Sequence, residues 1–117
     1  MDNLDCVVID PIVNNTRKVN GVNVNTFAKT ITNHNVLKVE TGTIGYKGGN
    51  SKYSGRTYFR LGDLGGTDVN FNILRHPQTA CTEAIEITFG GDAELRTFIE
   101  ALKWTVEVLE DTISEQR

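Results

Sequence analysis

The residues best suited to chemistry are concentrated between residues 42 and 66, where eight of the eleven glycines lie. Glycine lets the backbone approach a ligand and aim N–H groups at an anion, and lysine and arginine neutralise phosphate. A tyrosine ring offers a flat face for a base. The predicted ligand-binding residues are Tyr46, Lys47, Gly48, Gly49, Ser51, Lys52, Tyr53, Arg56, Tyr58, Arg60 and Arg75. This combination indicates a site for a phosphate-bearing small molecule such as a nucleotide.

The same segment also fits a second interpretation, a solvated hairpin loop rich in glycine, serine and asparagine. It does not end in the Gly-Lys-Ser or Gly-Lys-Thr of a Walker A motif, so loop amides and side chains would hold any phosphate. His34 and His76 are isolated, and no Ser–His–Asp or Cys–His set can be assembled. We therefore predict a protein that is not an enzyme, with no catalytic residue, no cofactor and no metal site. Asp63 and Asp68 are interpreted as turn formers.

Charge is distributed unevenly along this acidic chain, whose formal net charge is −3. Four cations and no acid lie between residues 45 and 62, whereas residues 92–117 carry seven acids and three bases. An acidic domain is a poor general binder of DNA or RNA, which argues against nucleic acid as the partner. A local positive segment can still hold a small anion.

The elements that must position these residues are visible in the hydrophobic pattern. Apolar and polar residues alternate over residues 36–41, 57–61, 68–73 and 85–89, which predicts four half-buried strands. The connections are too short for crossover helices, so the sheet is predicted to be antiparallel. Cys6–Ile9 would add another strand, and Asn20-Gly21 marks a turn. Residues 24–31 fit either a short strand or a helical turn, and the four-residue spacing of Phe27 and Ile31 favours the helical turn.

A long C-terminal helix is predicted from Asp92, a good N-cap, to about Glu115. Its main apolar stripe, expected to cover the sheet, comprises Leu95, Phe98, Ile99, Leu102, Val106, Leu109 and Ile113. A weaker stripe contains Thr97 and the predicted oligomer-interface residues Ala101, Trp104 and Val108. Small residues beside a tryptophan favour a helix–helix contact in a homo-oligomer, a dimer or larger. The predicted fold class is α+β: an antiparallel sheet of about four to five strands packed against one long C-terminal helix.

A single domain is predicted over residues 1–117, because no repeat, linker or low-complexity tract interrupts the chain. No apolar run is long enough to cross a bilayer, and the N-terminus is acidic rather than basic. The expected location is therefore cytoplasmic, with no membrane partner. Cys6 and Cys81 are too few for a disulfide framework and are interpreted as buried free thiols.

Several strings within this chain resemble small proteins of bacteria and their prophages. These strings are Gly45-Tyr46-x-Gly48-Gly49, Gly55-Arg56-Thr57-Tyr58-Phe59, Asp63-Leu64-Gly65-Gly66-Thr67-Asp68 and Phe89-Gly90-Gly91-Asp92. The size, the order of strands before a helix and the glycine-rich loop are also similar to the phage Thoeris anti-defence sponges. That resemblance implies a small homo-oligomer that sequesters a cyclic nucleotide immune signal without cleaving it, in the host cytoplasm if a phage encodes it. The resemblance assigns no binding role to any individual residue of this chain.

Two other functions remain open from the sequence. A single-stranded nucleic acid-binding protein would use the cations and tyrosines of the loop and strands, and its binding would weaken as salt rises. A protein–protein inhibitor would instead present the acidic helix face, with Glu100, Glu107, Glu110 and Asp111, to a basic partner.

Overall fold

A computed structural model of the chain describes residues 12–32, 36–48, 54–65 and 68–115. Over these ranges the elements are, in order, β1 (Val13–Val19), β2 (Val22–Thr32), β3 (Val36–Thr43), β4 (Thr57–Asp63), β5 (Val69–Arg75), β6 (Thr82–Phe89) and α1 (Asp92–Glu115). The first four strands form an antiparallel sheet in the order β1-β2-β3-β4, and β5 and β6 form a separate antiparallel pair. The predicted α+β class, with a sheet packed against a long C-terminal helix, is confirmed.

The first hairpin is formed by a tight turn at Asn20 and Gly21. Both residues have positive φ angles, 49° and 82°, as a two-residue turn of the I′ type requires. The turn aligns Val19 with Val22 and sets the register of β1 on β2. The expectation of a helical turn over residues 24–31 is wrong. These residues pair with β1 on one side and β3 on the other, and ladder pairing outweighs a single four-residue spacing.

The helix lies on the sheet through small side chains. Thr97, Ala101 and Thr105 are its buried residues, and Ala101 packs against Ile31 and Val39 of the sheet. The two threonine hydroxyls donate to the carbonyls of Ala93 and Ala101, at 2.9 and 2.8 Å, so their burial leaves no hydroxyl unsatisfied. Small side chains allow the helix to approach the sheet closely, which places its larger aliphatic residues at the flank.

This packing reverses the two helix faces predicted from the sequence. The stripe expected on the sheet is largely exposed, since Leu95, Ile99, Leu102 and Val106 are each more than 40% accessible. The weaker stripe contacts the sheet instead, because Trp104 packs on the same cluster as Ala101. Ala101 is fully buried within one chain and offers no surface to a partner, so its place in the predicted oligomer contact is wrong, whereas Trp104 and Val108 are half-buried and their contact stays a prediction.

The four-stranded sheet is strongly curled, so that its edge strands β1 and β4 approach one another. The face turned away from the helix is buried over the central strands, with Val24, Thr26, Ala28 and Glu40 at 2% exposure or less. On this second face Arg17 of β1 reaches Glu40 of β3 and lies 5.6 Å from the ring centre of Tyr58 of β4. The curled sheet therefore has a polar interior as well as a helix-covered face.

The hairpin β5–β6, called the arm below, is separate from this body. Its side chains are exposed from Asn70 to Glu86 apart from half-buried His76, so its strands are not the half-buried strands that their alternation predicts. Its base is anchored to the body, because Phe89 packs on Phe98 of the helix with ring centres 4.4 Å apart. The arm thus leaves both of its faces uncovered over most of its length.

Three smaller expectations concern single residues and the membrane. Cys81, predicted to be buried, is exposed in the turn of the arm. Cys6, His34 and the strand expected at Cys6–Ile9 lie outside the described residues. Within the ranges that the structure covers, no helix has the length and apolar composition that crossing a membrane requires.

Candidate functional site

The glycine-rich segment is held together by backbone contacts between its two ends. The amide of Ile44 donates to the carbonyl of Arg56 at 3.0 Å, and a Cβ added at Gly55 would overlap the carbonyl oxygen of Gly45. Gly45 itself has a φ of +83°, a conformation that disfavours other residues. Glycine at these two positions is therefore explained by close approach and backbone geometry, before any ligand is considered.

Two threonines add side-chain hydrogen bonds to these backbone contacts. The Thr43 hydroxyl accepts from the amide of Gly45 at 3.0 Å and donates to the carbonyl of Arg56 at 3.1 Å. Its oxygen also lies 2.9 Å from the hydroxyl oxygen of Thr57. Either hydroxyl can donate in this pair. The exposed Thr57 oxygen keeps acceptor capacity for another group.

A cleft opens between this loop and the C-terminal half of the helix. Its volume is about 590 Å³, within the range of roughly 300–1,000 Å³ that holds small organic ligands. The loop wall and the helix wall together comprise Thr43, Gly45, Tyr46, Lys47, Gly48, Ser54, Gly55, Thr57, Val106, Leu109, Glu110 and Ile113. The cleft is therefore bounded by glycine backbone and polar side chains on one side and by aliphatic side chains on the other.

The two walls suit different parts of a ligand. Lys47, at the exposed rim, supplies a positive charge, and Tyr46 is 85% exposed and presents its ring to solvent. Val106, Leu109 and Ile113 offer an apolar surface for a flat or aliphatic group. The Glu110 carboxylate on the helix side accepts hydrogen bonds from amino or hydroxyl groups. A molecule with an anionic end and an apolar ring matches this arrangement.

Of the predicted ligand-binding residues, the structure brings Tyr46, Lys47 and Gly48 together in this cleft. Gly48 has a φ of +72° and open space around it, so its backbone is accessible. Four more predicted residues, Gly49, Ser51, Lys52 and Tyr53, lie outside the described residues.

Arg56 and Tyr58 are directed elsewhere. Arg56 is only 6% exposed, and its guanidinium donates to the carbonyl of Ser54 at 2.8 Å. It supports the backbone of the loop rather than lining the cleft. Tyr58 lies on the second face of the sheet beneath Arg17, because successive residues of a strand point to opposite faces and Thr57 faces the cleft.

Arg60 and Arg75 also lie away from the cleft. Arg60 shares the second face of the sheet with Glu40 and lines a small cavity of about 180 Å³ with Lys38, Gly62 and Leu64. Arg75 lies near the turn of the arm and is 3.3 Å from the Thr82 hydroxyl. The single site predicted for eleven residues is therefore divided by the fold. Four of the predicted residues do not line the cleft: Arg56, Tyr58, Arg60 and Arg75.

An ion pair between Arg17 and Glu40 lies on that second face. The Glu40 carboxylate accepts from Arg17 Nε at 2.6 Å, from a terminal Arg17 nitrogen at 2.7 Å and from the Thr26 hydroxyl at 2.6 Å. The hydrogen bond from Arg17 lowers the pKa of Glu40 from its usual value, against the opposing effect of burial. The same contact raises the pKa of Arg17. Both oxygens of this buried carboxylate accept hydrogen bonds from side chains of neighbouring strands, which stabilises the sheet.

Sequence reasoning missed the helix wall of the cleft. Val106, Leu109 and Ile113 belong to the stripe that was expected to cover the sheet, and Glu110 was assigned to an acidic outer face. These residues are more than 45 positions away from the loop along the chain. One feature of the sequence could have indicated this wall. The helix carries more aliphatic residues than it needs to cover a sheet.

Comparisons with known proteins add no assignment. The chain matches no protein-family model, no curated protein and no solved structure. Across the part of the chain that the structure describes, histidine, cysteine and carboxylate side chains do not gather in groups of three or more that would hold a metal ion.

Proposed function

We propose that the protein binds a small phosphate-bearing molecule of the nucleotide class in the cleft between the glycine-rich loop and the helix, and sequesters it without conversion. The observation that carries this proposal is the meeting of Lys47 and loop backbone with the aliphatic wall of Val106, Leu109 and Ile113. Lys47 and exposed loop amides serve the phosphate, and the apolar wall serves the base.

The composition of the cleft supports binding rather than catalysis. Among the described residues that line it, the titratable side chains are Tyr46, Lys47 and Glu110. Cysteine and histidine, the side chains that most often serve as nucleophile or general base near neutral pH, are absent from this described lining. Glu110 suits recognition, since it can accept from an exocyclic amine or a ribose hydroxyl.

The ligands to test first follow from the resemblance to phage sponges. They are cyclic di- and trinucleotides and cyclic ADP-ribose isomers, with NAD, ATP and a short single-stranded oligonucleotide for comparison. Thermal unfolding reports binding, because a ligand at 100 times its dissociation constant adds about 2.7 kcal/mol of stability. In a domain of this size that shifts the unfolding midpoint by several degrees. Sequestration further requires that the ligand is recovered intact.

Lys47→Gln is the variant that tests the site. Loss of a charge-assisted contact to phosphate weakens binding by about 10- to 100-fold, following the roughly 1.5–3 kcal/mol of such a contact. Lys103→Gln is the matched control, because Lys103 is exposed on the helix and is not part of the cleft lining. Arg56→Ala is unsuitable as a probe, since Arg56 supports the loop backbone and its loss would disturb the fold.

The outcomes separate the functions. Binding of one cyclic nucleotide that is weakened by Lys47→Gln and kept by Lys103→Gln supports the proposal. A midpoint that no small molecule shifts, or a shift that both variants retain, contradicts it. A response to the oligonucleotide alone that fades as salt rises would favour single-stranded nucleic acid binding instead.

A further inference from the structure

Among the described residues, two apolar surfaces are exposed. The first is one face of the arm, where the register brings Phe71 beside Ile87 and Ile73 beside Ile85. The second is the helix stripe, defined here as Leu95, Ile99 and Leu102, which lie outside the cleft lining. Ile85 is 68% exposed and Leu95 is 53% exposed, which are unusual values for side chains in regular apolar rows. Each surface lacks the layer that sheets and helices need in order to bury an apolar face.

The described residues cover the arm face only at its base, where Val69 is buried and Phe89 packs on the helix. The arm runs directly into the helix through Gly90 and Gly91, and the Phe89–Phe98 contact anchors the arm at its base. An isolated two-stranded hairpin is marginally stable in water. The radius of gyration is 16.7 Å, whereas a compact domain of this length has about 13 Å. In the described part of the chain, the apolar rows of the arm and the helix therefore face outward.

We propose that a second copy of this chain covers these surfaces, in a dimer where the arm of each copy packs on the helix stripe of the other. The lengths are compatible: the exposed part of the arm face, from Phe71 to Ile73, spans about 7 Å. The helix stripe from Leu95 to Leu102 spans about 10 Å. A sheet face on a helix stripe is a standard two-layer packing, and the same chain supplies both layers.

The area is sufficient for a stable dimer. The exposed fractions of the arm face and the helix stripe amount to about 500 Å² of apolar surface per chain, taking about 150–200 Å² for a fully exposed large side chain. Reciprocal packing buries this amount on both copies, about 1,000 Å² in total before polar neighbours are included, which is about the area that a specific interface needs. Two-fold exchange also closes the assembly, since neither surface remains to recruit a third copy.

The test is the mass of the full chain in solution, measured by sedimentation over a range of concentrations. The wild type is expected at twice the 13.0 kDa chain mass. Ile85→Lys on the arm face and Ile99→Glu on the helix stripe are each expected to yield monomers. Both side chains are exposed in the single chain, so each variant should keep the wild-type circular dichroism spectrum. Thr88→Lys, on the opposite face of the arm, is the control that remains dimeric.

A mixing experiment tests the exchange itself. In a mixed pair of Ile85→Lys and Ile99→Glu chains, one arm–stripe contact is intact and the other places lysine opposite glutamate. The mixture is therefore expected to recover dimer that neither variant forms alone. A monomeric wild type at every concentration overturns the proposal. So does a dimer broken by Ile99→Glu but not by Ile85→Lys, which would indicate helix–helix contact, or a mixture that stays monomeric.

Discussion

Glu40 keeps a negative charge inside the curled sheet because Arg17 and Thr26 surround its carboxylate. Replacing Arg17 would leave the Glu40 carboxylate buried without its charged partner, and a buried charge without a partner is strongly destabilising. Arg17, Thr26 and Glu40 lie on three different strands, β1, β2 and β3. Their contact therefore ties the curvature of the sheet to a specific set of side chains.

This arrangement predicts how stability depends on pH. The folded-state pKa of Glu40 is lowered, chiefly by the hydrogen bond from Arg17, so its contribution is complete above the usual value of 4.5. The contribution is lost as the pH falls below that value and through the folded-state pKa. Urea unfolding of Glu40→Gln should therefore show lower stability at neutral pH and a shallower decline below about pH 4.5 than the wild type.

Glu100→Gln, which alters an exposed helix carboxylate, is the control for this pH experiment. Its stability curve should run parallel to that of the wild type. Equal slopes for the wild type and Glu40→Gln in acid would show that the Glu40 carboxylate does not contribute to the acid sensitivity of the fold.

Two strand glycines give a second residue-level prediction. A Cβ at Gly42 would overlap the carbonyl oxygen of Asn25 and lie 2.8 Å from the Thr26 Cα, whereas a Cβ at Gly62 meets nothing within 4 Å. Gly42→Ala is therefore expected to lower the free energy of unfolding by about 2–3 kcal/mol. Gly62→Ala should change it by no more than about 0.5 kcal/mol. Chemical denaturation of both variants with equal m-values provides the measurement, and similar losses at the two positions would contradict the close approach of β2 to β3.

At the level of the elements, the helix shows how packing distance decides which face is buried. The larger apolar stripe has the greater transfer free energy, yet Thr97, Ala101 and Thr105 occupy the interface. Their short side chains let the helix lie close to β3, while the branched residues of the flank reach the cleft and the exposed surface. A hydrophobic pattern therefore identified the helix correctly but ranked its two stripes in the wrong order.

Enlarging one side chain tests this face assignment. Ala101→Leu inserts three carbons between the helix and the Ile31–Val39 cluster and should destabilise the protein by about 1–3 kcal/mol. Lys103→Leu introduces the same side chain on the exposed polar face and is expected to alter stability by no more than about 0.5 kcal/mol. Equal effects in equilibrium unfolding would mean that Ala101 does not contact the sheet.

At the level of the whole molecule, the body and the arm differ in what stabilises them. The body buries a cluster around Ile31, Val39 and Ala101, whereas the arm is supported mainly by its own ladder and its base. Local opening free energies follow such differences, because a segment with little buried apolar surface opens easily. The opening free energy of the arm therefore depends on whether its faces are covered in solution.

Hydrogen exchange at two protein concentrations makes this measurable. If a second copy covers the arm, the ladder amides of β5 and β6 should exchange slowly at high concentration and faster after dilution below the dissociation constant. Amides of β2 and β3 serve as the internal control, since they are paired within the body and should be much less sensitive to dilution. Arm amides that exchange at the same fast rate at both concentrations would contradict coverage of the arm by another chain.

The sequence by itself determined four of the six described strands, the first turn and the start of the helix, but it did not predict β1 and it favoured a helical turn over β2. Two-residue alternation identified β3, β4, β5 and β6, the Asn20-Gly21 pair located the first turn, and Asp92 located the start of the helix, since each of these signals depends on near neighbours in the chain. The sequence also drew attention to the glycine-rich loop, of which Tyr46, Lys47 and Gly48 line the cleft.

Only the tertiary structure decided how these elements meet. The choice of helix face depended on how closely small side chains let two layers approach, and the exposure of β5 and β6 depended on the body not extending over them. Alternating apolar and polar residues indicate that a strand has two different faces, but they do not indicate whether another element covers either face. The cleft likewise joins a loop and a helix that are far apart in the chain, and proximity of that kind is set by packing rather than by any local pattern.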